Sequence, residues 1–317
     1  MKQRPTVIIL LGAYWPGNAS SGPNQTIRAI CAALSDHFDF RVIARDRPFD
    51  GARAVAEGGK WHDHDVMRVR YLEVGRAGAK GLAKLLRETP HDLLMLNGFF
   101  DREFTIPALI ARRLGRIPRR PTILSPRGEF SEGALSLKAG RKSFYRMAMR
   151  LTGLLSGVRL HATSPAEESD MCAAFPNEPI RHIANFRDIP ALPAFEARAP
   201  GAPLRIAFLG RISPVKGVEA ACLALARVTS SIAFDLYGPI SDAPYWKRCQ
   251  QVIAELPTNV TVAYRGELAN DAVVEALAEY DLMFMPSHSE NFGHAILEAL
   301  AAGTPVLIGD KTPWRNL

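Results

Sequence analysis

Two glutamates, Glu290 and Glu298, bracket the segment of this chain whose residue types are best explained by a bound ligand. The pattern predicts an apolar strand over 282–286, a short polar loop, and an apolar helix over 293–302. The loop consists of Asn291, Phe292 and Gly293. A helix N-terminus presents unpaired N–H groups and the positive end of a dipole, so this turn is suited to bind an anion such as a phosphate.

Glu298 lies inside an otherwise apolar helical run. A buried carboxylate costs several kcal/mol unless it is paired, and a sugar or a ribose diol would supply two hydroxyl donors to it. The alternative is an ordinary exposed glutamate on an amphipathic helix. The segment alone leaves both interpretations open.

A second strand–loop–helix segment lies about eighty residues earlier. An apolar strand over 204–209 is followed by Gly210, Arg211 and Lys216, and then by a helix predicted over 217–228. Arginine offers a bidentate fork to phosphate oxygens and lysine offers a compact charge. Taken alone, two cations in this position are also typical of a solvated turn. Followed by the acidic turn described above, they indicate a site for a negatively charged, hydroxylated ligand.

The motifs of these two segments resemble a known family. Gly-Arg-x4-Lys-Gly at 210–217 and Glu-x7-Glu at 290–298 resemble the donor half of a retaining glycosyltransferase of family 4, within the glycosyl transferases group 1. The likeness continues upstream in Ser-Pro-Arg-Gly-Glu at 125–129, in Thr-Ser-x2-Glu at 163–167 and in Asn-Phe at 185–186. The resemblance implies an α/β protein of the GT-B fold, with two facing Rossmann-like domains built on parallel sheets.

The resemblance also implies roles for individual residues. The expected donor-binding residues are Gly210, Arg211, Lys216, Glu290, Asn291, Phe292, Gly293 and Glu298. Arg211, Lys216 and Glu290 are the expected catalytic residues, because the first two stabilise the departing diphosphate while Glu290 holds the transferred sugar. Glu298 is expected to bind the ribose diol. On the acceptor side we expect Gly22, Asn97, Asp101 and Arg127.

The chain is long enough for two domains, and its segments alternate between strand and helix. The prolines clustered in 188–203 indicate a linker, so we expect an acceptor-side domain over 1–187 and a nucleotide-sugar-binding domain over 204–317. Relatives of this kind continue for another strand–helix stretch beyond the last predicted strand. We therefore expect the second domain to be incomplete and the activity of the 317-residue chain to depend on what is missing.

Several classes of site are disfavoured. The four cysteines are scattered, as reduced cytoplasmic thiols would be: Cys31, Cys172, Cys222 and Cys249. The glycine-rich loop over 12–25 lacks the Gly-x-Gly-x2-Gly spacing of a nicotinamide-binding turn. The Asp-x-Asp at 63–65 lies in a polar stretch predicted to precede a strand, far in sequence from the phosphate loops, so it does not indicate a metal site. The pair His288 and His294 lacks a third ligand at suitable spacing. We expect no metal and no cofactor, since Arg211 and Lys216 can neutralise a diphosphate and the nucleotide sugar is a substrate.

Charge is distributed unevenly along the chain. Residues 1–200 carry a net charge of +10 and residues 201–317 carry −3. Basic and apolar residues interleave over 138–155, where a helix is predicted over 136–155, which is typical of a helix at a membrane surface and equally of a core helix with a solvated cationic face. No recognisable nucleic-acid-binding motif accompanies the charge, so we expect no nucleic-acid partner.

The sequence therefore predicts a cytoplasmic glycosyltransferase. Peripheral binding to the anionic inner face of a membrane is a further possibility. It would move a sugar from a nucleotide-sugar donor to a saccharide or lipid-linked acceptor with retention, in cell-surface polysaccharide or glycolipid synthesis. Two alternatives stay open at this stage. One is a truncated or degenerate module that binds nucleotide sugars without transferring them, and the other is a different GT-B enzyme, such as a nucleotide-sugar epimerase.

Overall fold

The computed structural model describes residues 4–18, 21–48, 54–73, 76–130, 139–185, 201–269 and 271–314. The chain divides into two compact units, Met1–Arg187 and Asp188–Leu317. Residues 188–200 of the linker predicted over 188–203 lie outside the described residues. Among the helices that are described, none is both long enough and apolar enough to cross a bilayer.

The first unit is built on an eight-stranded sheet. Its strands are β1 (Thr6–Leu10), β2 (Asp39–Arg45), β3 (Trp61–His64), β4 (Met67–Leu72), β5 (Leu93–Asn97), β6 (Thr122–Ser125), β7 (Val158–Ala162) and β8 (Ile180–His182). They lie in the order β3-β4-β2-β1-β5-β6-β7-β8. The paired strands are parallel except for β3, which runs antiparallel to β4 at the edge.

Helices cover both faces of this sheet. They are α1 (Gly22–Leu34), α2 (Arg76–Glu88), α3 (Thr105–Arg113), α4 (Ala139–Thr152) and α5 (Pro165–Ala174). Along β1, Val7 and Ile9 join the apolar cluster that includes residues of α1, whereas Ile8 and Leu10 join the cluster that includes residues of α2 and α3. Successive side chains of a strand point to opposite faces, so a strand buried on both faces reads as a continuous apolar run.

The second unit repeats the same architecture with fewer strands. It contains β9 (Leu204–Leu209), α6 (Val218–Leu225), β10 (Ile232–Tyr237), α7 (Ala243–Ala254), β11 (Val260–Gly266), α8 (Val273–Ala278), β12 (Leu282–Met285), α9 (His294–Ala301) and β13 (Val306–Ile308). The parallel strands lie in the order β11-β10-β9-β12-β13. A single apolar cluster unites the sheet with its helices.

One prediction from the sequence is wrong about secondary structure. The stretch containing Asp63 was expected to be a polar segment before a strand, yet Trp61–His64 forms β3 and pairs with β4. An edge strand can carry exposed polar side chains without losing its backbone pairing, so it shows no apolar periodicity to detect. Asp63 is exposed on this edge.

Candidate functional site

Both sheets reverse their winding direction beside their first strand. In the second unit the chain passes from β9 to β10 and β11 on one side, and then crosses to β12 and β13 on the other. In the first unit the same reversal separates β1 from β5. Ligands of open parallel sheets bind beyond the carboxyl ends of the strands at such a reversal. The loops after β9 and β12, and those after β1 and β5, are therefore the places to look for a site.

The two predicted donor segments meet in the second unit. The turn after β9 consists of residues 210–217 and includes a 3₁₀ turn over Pro214–Lys216. The turn after β12 consists of residues 286–293. The backbone N–H of His288 in the second turn donates to the carbonyl oxygen of Val215 in the first, at 2.8 Å.

Gly217 brings the backbones of the two turns into contact. It has a φ of 75°, and a Cβ placed on it would lie 2.5 Å from the carbonyl oxygen of Pro286. A larger residue would meet backbone atoms there, and it would also adopt a left-handed conformation that only glycine takes without cost. The glycine of the Gly-Arg-x4-Lys-Gly motif is therefore required by the packing of the turns.

Lys216 and Glu290 join the same two turns through their side chains. The ammonium of Lys216 donates to Glu290 Oε1, and the two side chains are only 18% and 9% exposed. A buried charge needs a partner, so each of these residues satisfies the other in the structure without ligand. The pair places a cation expected to meet a diphosphate directly beside a carboxylate expected to meet a sugar.

The remaining donor-side residues differ in exposure. The exposed side chain of Arg211 makes no hydrogen bond or ion pair with another described residue. Glu298 lies on α9 and is 5% exposed, which rules out the alternative of an exposed glutamate. Gly210, partly buried, directly follows β9.

The helix after the acidic loop begins later than the sequence indicated. Residues Asn291, Phe292 and Gly293 precede α9, which starts at His294 with Gly293 at a φ of 77°. Trp314, which the sequence did not single out, donates its indole N–H to the carbonyl oxygen of Phe292. The Phe292 and Trp314 rings meet edge to face at 5.8 Å between centroids. Residues that follow β13 therefore support the loop.

The first unit contains a pocket of about 450 Å³ beyond β1, β5 and β6. Three of the predicted acceptor-side residues line it: Asn97, Asp101 and Arg127. The fourth, Gly22, is the first residue of α1, and its neighbour Pro23 reaches the pocket wall. This volume falls within the range of small-molecule sites.

Arg127 is held at the pocket by two amide side chains. Its Nε and Nη2 donate to Asn97 Oδ1 at 3.1 and 3.0 Å, and its Nη1 donates to Asn185 Oδ1 at 2.8 Å. The Asn97 amide cannot turn around without losing a bond, because its Nδ2 donates to the carbonyl oxygen of Leu10 at 3.1 Å. Burial lowers the pKa of the guanidinium to about 10.

A buried carboxylate fixes the backbone beneath Arg127. Arg127 has a φ of 60°, a left-handed conformation that is uncommon for a residue with a side chain. Glu167 Oε1 accepts the backbone N–H of Gly128 at 2.5 Å, and its Oε2 accepts the N–H and hydroxyl of Thr163 at 2.7 and 2.6 Å. The motifs at 125–129 and 163–167 are thus parts of one network.

His161 reinforces the same region from β7. Its Nε2 donates to the carbonyl oxygen of Ile183 at 2.8 Å, so its Nδ1 accepts the hydroxyl of Ser125 at 2.8 Å. Burial lowers the pKa of His161 below its ordinary value, which favours this neutral form. The sequence pattern did not single out His161.

Asp101 has a structural role beside its place in the pocket. Its Oδ1 accepts the backbone N–H groups of Glu103 and Phe104 at 2.8 and 3.0 Å, just before α3. Burial raises the pKa of this carboxyl group. Glu103 in turn pairs with Arg45 at 2.9 Å, so the pocket wall after β5 is tied to the end of β2.

Part of the chain matches a known family. Residues 194–316 match the family model described as glycosyl transferases group 1. A 2-deoxystreptamine glucosyltransferase of Streptomyces kanamyceticus is 31% identical over 106 residues, which are 33% of this chain and 27% of that protein. A GDP-mannose-dependent alpha-mannosyltransferase of Mycolicibacterium smegmatis is 32% identical over 117 residues, or 37% of this chain and 28% of that protein. The matches thus span little more than a quarter of these relatives.

Solved structures resemble nearly the whole chain. Sucrose-phosphate synthase from Thermosynechococcus elongatus superposes with a TM-score of 0.73 at 18% identity, covering 98% of this chain and 83% of that one. The Anabaena protein HepE in complex with UDP-glucose superposes with a TM-score of 0.67 at 18% identity, covering 98% and 82%. These likenesses confirm the predicted α/β fold of the GT-B class.

The contact between the two turns can be tested with a matched pair of glycines. Gly217 and Gly303 both have a φ of 75°, but nothing lies within 4 Å of a Cβ placed on Gly303. Gly303→Ala should therefore cost only the left-handed conformation, about 1–2 kcal/mol. Gly217→Ala should cost about 1–3 kcal/mol more, because the added methyl meets the Pro286 carbonyl.

Both free-energy costs are measured by urea unfolding, which is monitored through hydrogen exchange in peptides of the second unit. Equal losses of unfolding free energy in the two variants would contradict the close approach of the turns.

Proposed function

We propose that this protein transfers a sugar from a nucleotide-sugar donor to a hydroxyl-bearing acceptor, because residues 194–316 match the glycosyl transferases group 1 family model. The observation that supports this most is the union of two strand–loop–helix turns in the second unit through Lys216 and Glu290. One turn offers cations to a diphosphate, and the other offers carboxylates to hydroxyl groups. A nucleotide sugar carries both kinds of group.

We propose that the Lys216–Glu290 ion pair exchanges its partners when the donor binds. A diphosphate arriving at residues 210–217 competes with Glu290 for the Lys216 ammonium. Once Lys216 turns to the phosphates, Glu290 is released to accept hydroxyls of the sugar. The exposed Arg211 adds a bidentate contact to the phosphates, and the buried Glu298 takes the ribose diol.

The chemistry then follows from where charge develops. As the bond from the sugar to the diphosphate breaks, negative charge grows on the leaving group and the sugar becomes oxocarbenium-like. Arg211, Lys216 and the N–H groups at the start of α9 stabilise that negative charge in a partly water-free site. We propose retention of the anomeric configuration, with the departing phosphate taking the proton of the acceptor hydroxyl. No metal or cofactor is needed, because the cations neutralise the diphosphate.

The pocket of the first unit is the proposed acceptor site. Asn97, Asp101 and Arg127 line it, and Gly22 starts the helix beside it. We propose a saccharide or lipid-linked acceptor and a role in making a cell-surface polysaccharide or glycolipid in the cytoplasm. Solved structures of similar fold contain UDP and UDP-glucose, which supports a nucleotide-sugar donor.

Turnover of donors by point variants tests the proposal. UDP-, GDP- and ADP-sugars are screened by thermal shift, and release of the nucleoside diphosphate is then followed with the donor that binds. Arg211→Ala and Lys216→Ala should each lower the rate by roughly 10²–10³, the size of losing one contact that stabilises transition-state charge. Lys247→Ala, which removes an exposed lysine of α7, should leave the rate unchanged.

Wild-type rates in both variants would remove these residues from the mechanism. Donor binding without hydrolysis or transfer would identify a binding module instead. Release of nucleotide that is independent of any acceptor, together with a change in the sugar, would identify an epimerase.

We further propose that the first unit docks on an anionic membrane surface. On α4, Met147 and Leu151 lie one turn apart and are 52% and 79% exposed, while Leu114 at the end of α3 is 59% exposed. Arg113 links the two helix ends by donating to the carbonyl oxygen of Thr152 at 3.4 Å. The excess positive charge of residues 1–200 complements an anionic lipid surface.

One arginine of the basic face predicted for this helix is engaged within the protein. Arg150 is exposed, but it donates to the carbonyl oxygen of Ala174 and lies over the Phe175 ring. The side chains of Lys138, Arg141 and Lys142 lie outside the described residues. The proposal of membrane docking therefore rests on the exposed apolar residues Leu114, Met147 and Leu151.

Vesicle co-sedimentation tests this docking. Replacing both Met147 and Leu151 by Ser should weaken binding to phosphatidylserine-containing vesicles by about tenfold or more, since apolar side chains lose their insertion into the interface. High salt should weaken it as well. Leu223→Ser, at a 53% exposed position in the second unit, is the matched control and should bind like wild type. Absence of any salt-sensitive association in the wild type would contradict membrane docking.

A further inference from the structure

The guanidinium of Arg127 lies in the wall of the first unit's pocket, and among the described residues it bonds only to neutral groups. Its hydrogen-bond partners are the oxygens of two neutral amides, Asn97 and Asn185, and no carboxylate in the described part of the chain bonds to it. Glu167 contributes only a longer-range attraction. Buried charges are normally paired with an opposite charge.

The hydrogen-bond count leaves room for a ligand. A guanidinium carries five N–H donors, and three bonds of Arg127 are made, two to Asn97 and one to Asn185. One N–H on each terminal nitrogen is therefore without a partner among the described residues. Two such donors on a planar fork match the oxygens of a carboxylate or a phosphate.

The acids of the pocket wall do not compensate Arg127. Glu129 Oε2 accepts the backbone N–H groups of Phe99 and Phe100. Asp101 Oδ1 accepts two backbone N–H groups before α3, and Glu103 pairs with Arg45. Backbone bonds hold Glu129 and Asp101 in place and the ion pair with Arg45 holds Glu103, so none of these carboxylates can turn to Arg127 without breaking a contact.

The position of the guanidinium is also costly to maintain. The backbone of Arg127 is left-handed, and Glu167 is buried to fix Gly128 beneath it. Burial lowers the pKa of the guanidinium to about 10, so the group stays charged at neutral pH while its hydration is reduced. A residue needed only to bridge two amides would not require a charge.

A second polar atom in the pocket is open to hydroxyl groups. Asp101 uses Oδ1 for its backbone bonds, while its Oδ2 faces Gly12 and makes no hydrogen bond with the described residues. A carboxylate oxygen in this setting accepts a hydroxyl donor. The pocket therefore offers one contact for an anion and one for a hydroxyl.

We propose that the pocket of the first unit binds a sugar that carries a carboxylate or a phosphate, with Arg127 holding the anionic group and Asp101 Oδ2 accepting a sugar hydroxyl. This inference rests on the proposed function, because it names the chemical class of the acceptor. It adds that a neutral sugar would leave the Arg127 charge uncompensated and bind weakly.

Three sugars that differ only in charged group serve as probes: glucuronate, glucose 6-phosphate and glucose. Their binding to the intact chain is measured by isothermal titration without donor. We expect at least one of the two anions to bind at least tenfold more tightly than glucose, and the stronger of them identifies carboxylate or phosphate as the group. Anions that bind no better than glucose would overturn the proposal.

Two variants separate a ligand-binding role from a structural one. Arg127→Gln should weaken binding of the anionic probe by about 10- to 100-fold, the loss expected for hydrogen bonds to a charged group. Asn185→Asp keeps the bond to Arg127 and gives the guanidinium an opposite charge, so it should weaken anion binding about tenfold and leave or raise the thermal midpoint. If Arg127→Gln does not fold, Asn185→Asp alone decides.

The control removes the same charge elsewhere. Arg159→Gln changes an exposed arginine of β7 outside the pocket and should bind the anion like wild type. Binding of a nucleoside diphosphate is measured in every variant and should stay unchanged. Wild-type anion affinity in Asn185→Asp would overturn the inference. Failure of the wild-type chain to bind any nucleoside diphosphate would instead count against the proposed function.

Discussion

The donor side of the protein depends on the pairing of Lys216 with Glu290. Neither charge is well exposed, so neither could remain at the end of its strand without the other. Their pairing is possible because β9 and β12 are neighbours in the sheet, and because Gly217 lets the backbones of the two turns touch. We therefore expect a ligand that binds one of these turns to act on the other. Under the proposed function, this coupling lets the phosphate and sugar contacts be made together.

The first unit also holds a cation near its site, but without a carboxylate partner among the described residues. Arg127 is partly buried beside neutral amides, and in our proposal a ligand supplies its counter-charge. The cost of this arrangement is carried by a network that runs from Gly128 through Glu167 to Thr163. The second unit thus pairs Lys216 with a carboxylate, whereas the described residues of the first unit offer Arg127 only neutral partners.

The sequence predicted the fold well because strands buried on both faces read as apolar runs, and because glycines and prolines separate them. It failed at β3, whose polar edge residues show no period, and it placed the start of α9 one to two residues early. The residues of the two turns in the second unit could be located because their motifs are local. The roles of Asn185, His161 and Trp314 could not, since each contacts residues far away in the sequence.

Hydrogen exchange with and without a nucleoside diphosphate tests the coupling of the two turns most directly. UDP, GDP and ADP are added in turn at saturating concentration, and protection is read in peptides covering 209–218 and 286–298. Because Lys216 and Glu290 join these segments, at least one nucleotide should slow exchange in both together while peptides of α4 stay unchanged. Protection of only one segment, or of neither with all three nucleotides, would contradict a single donor site built from both turns.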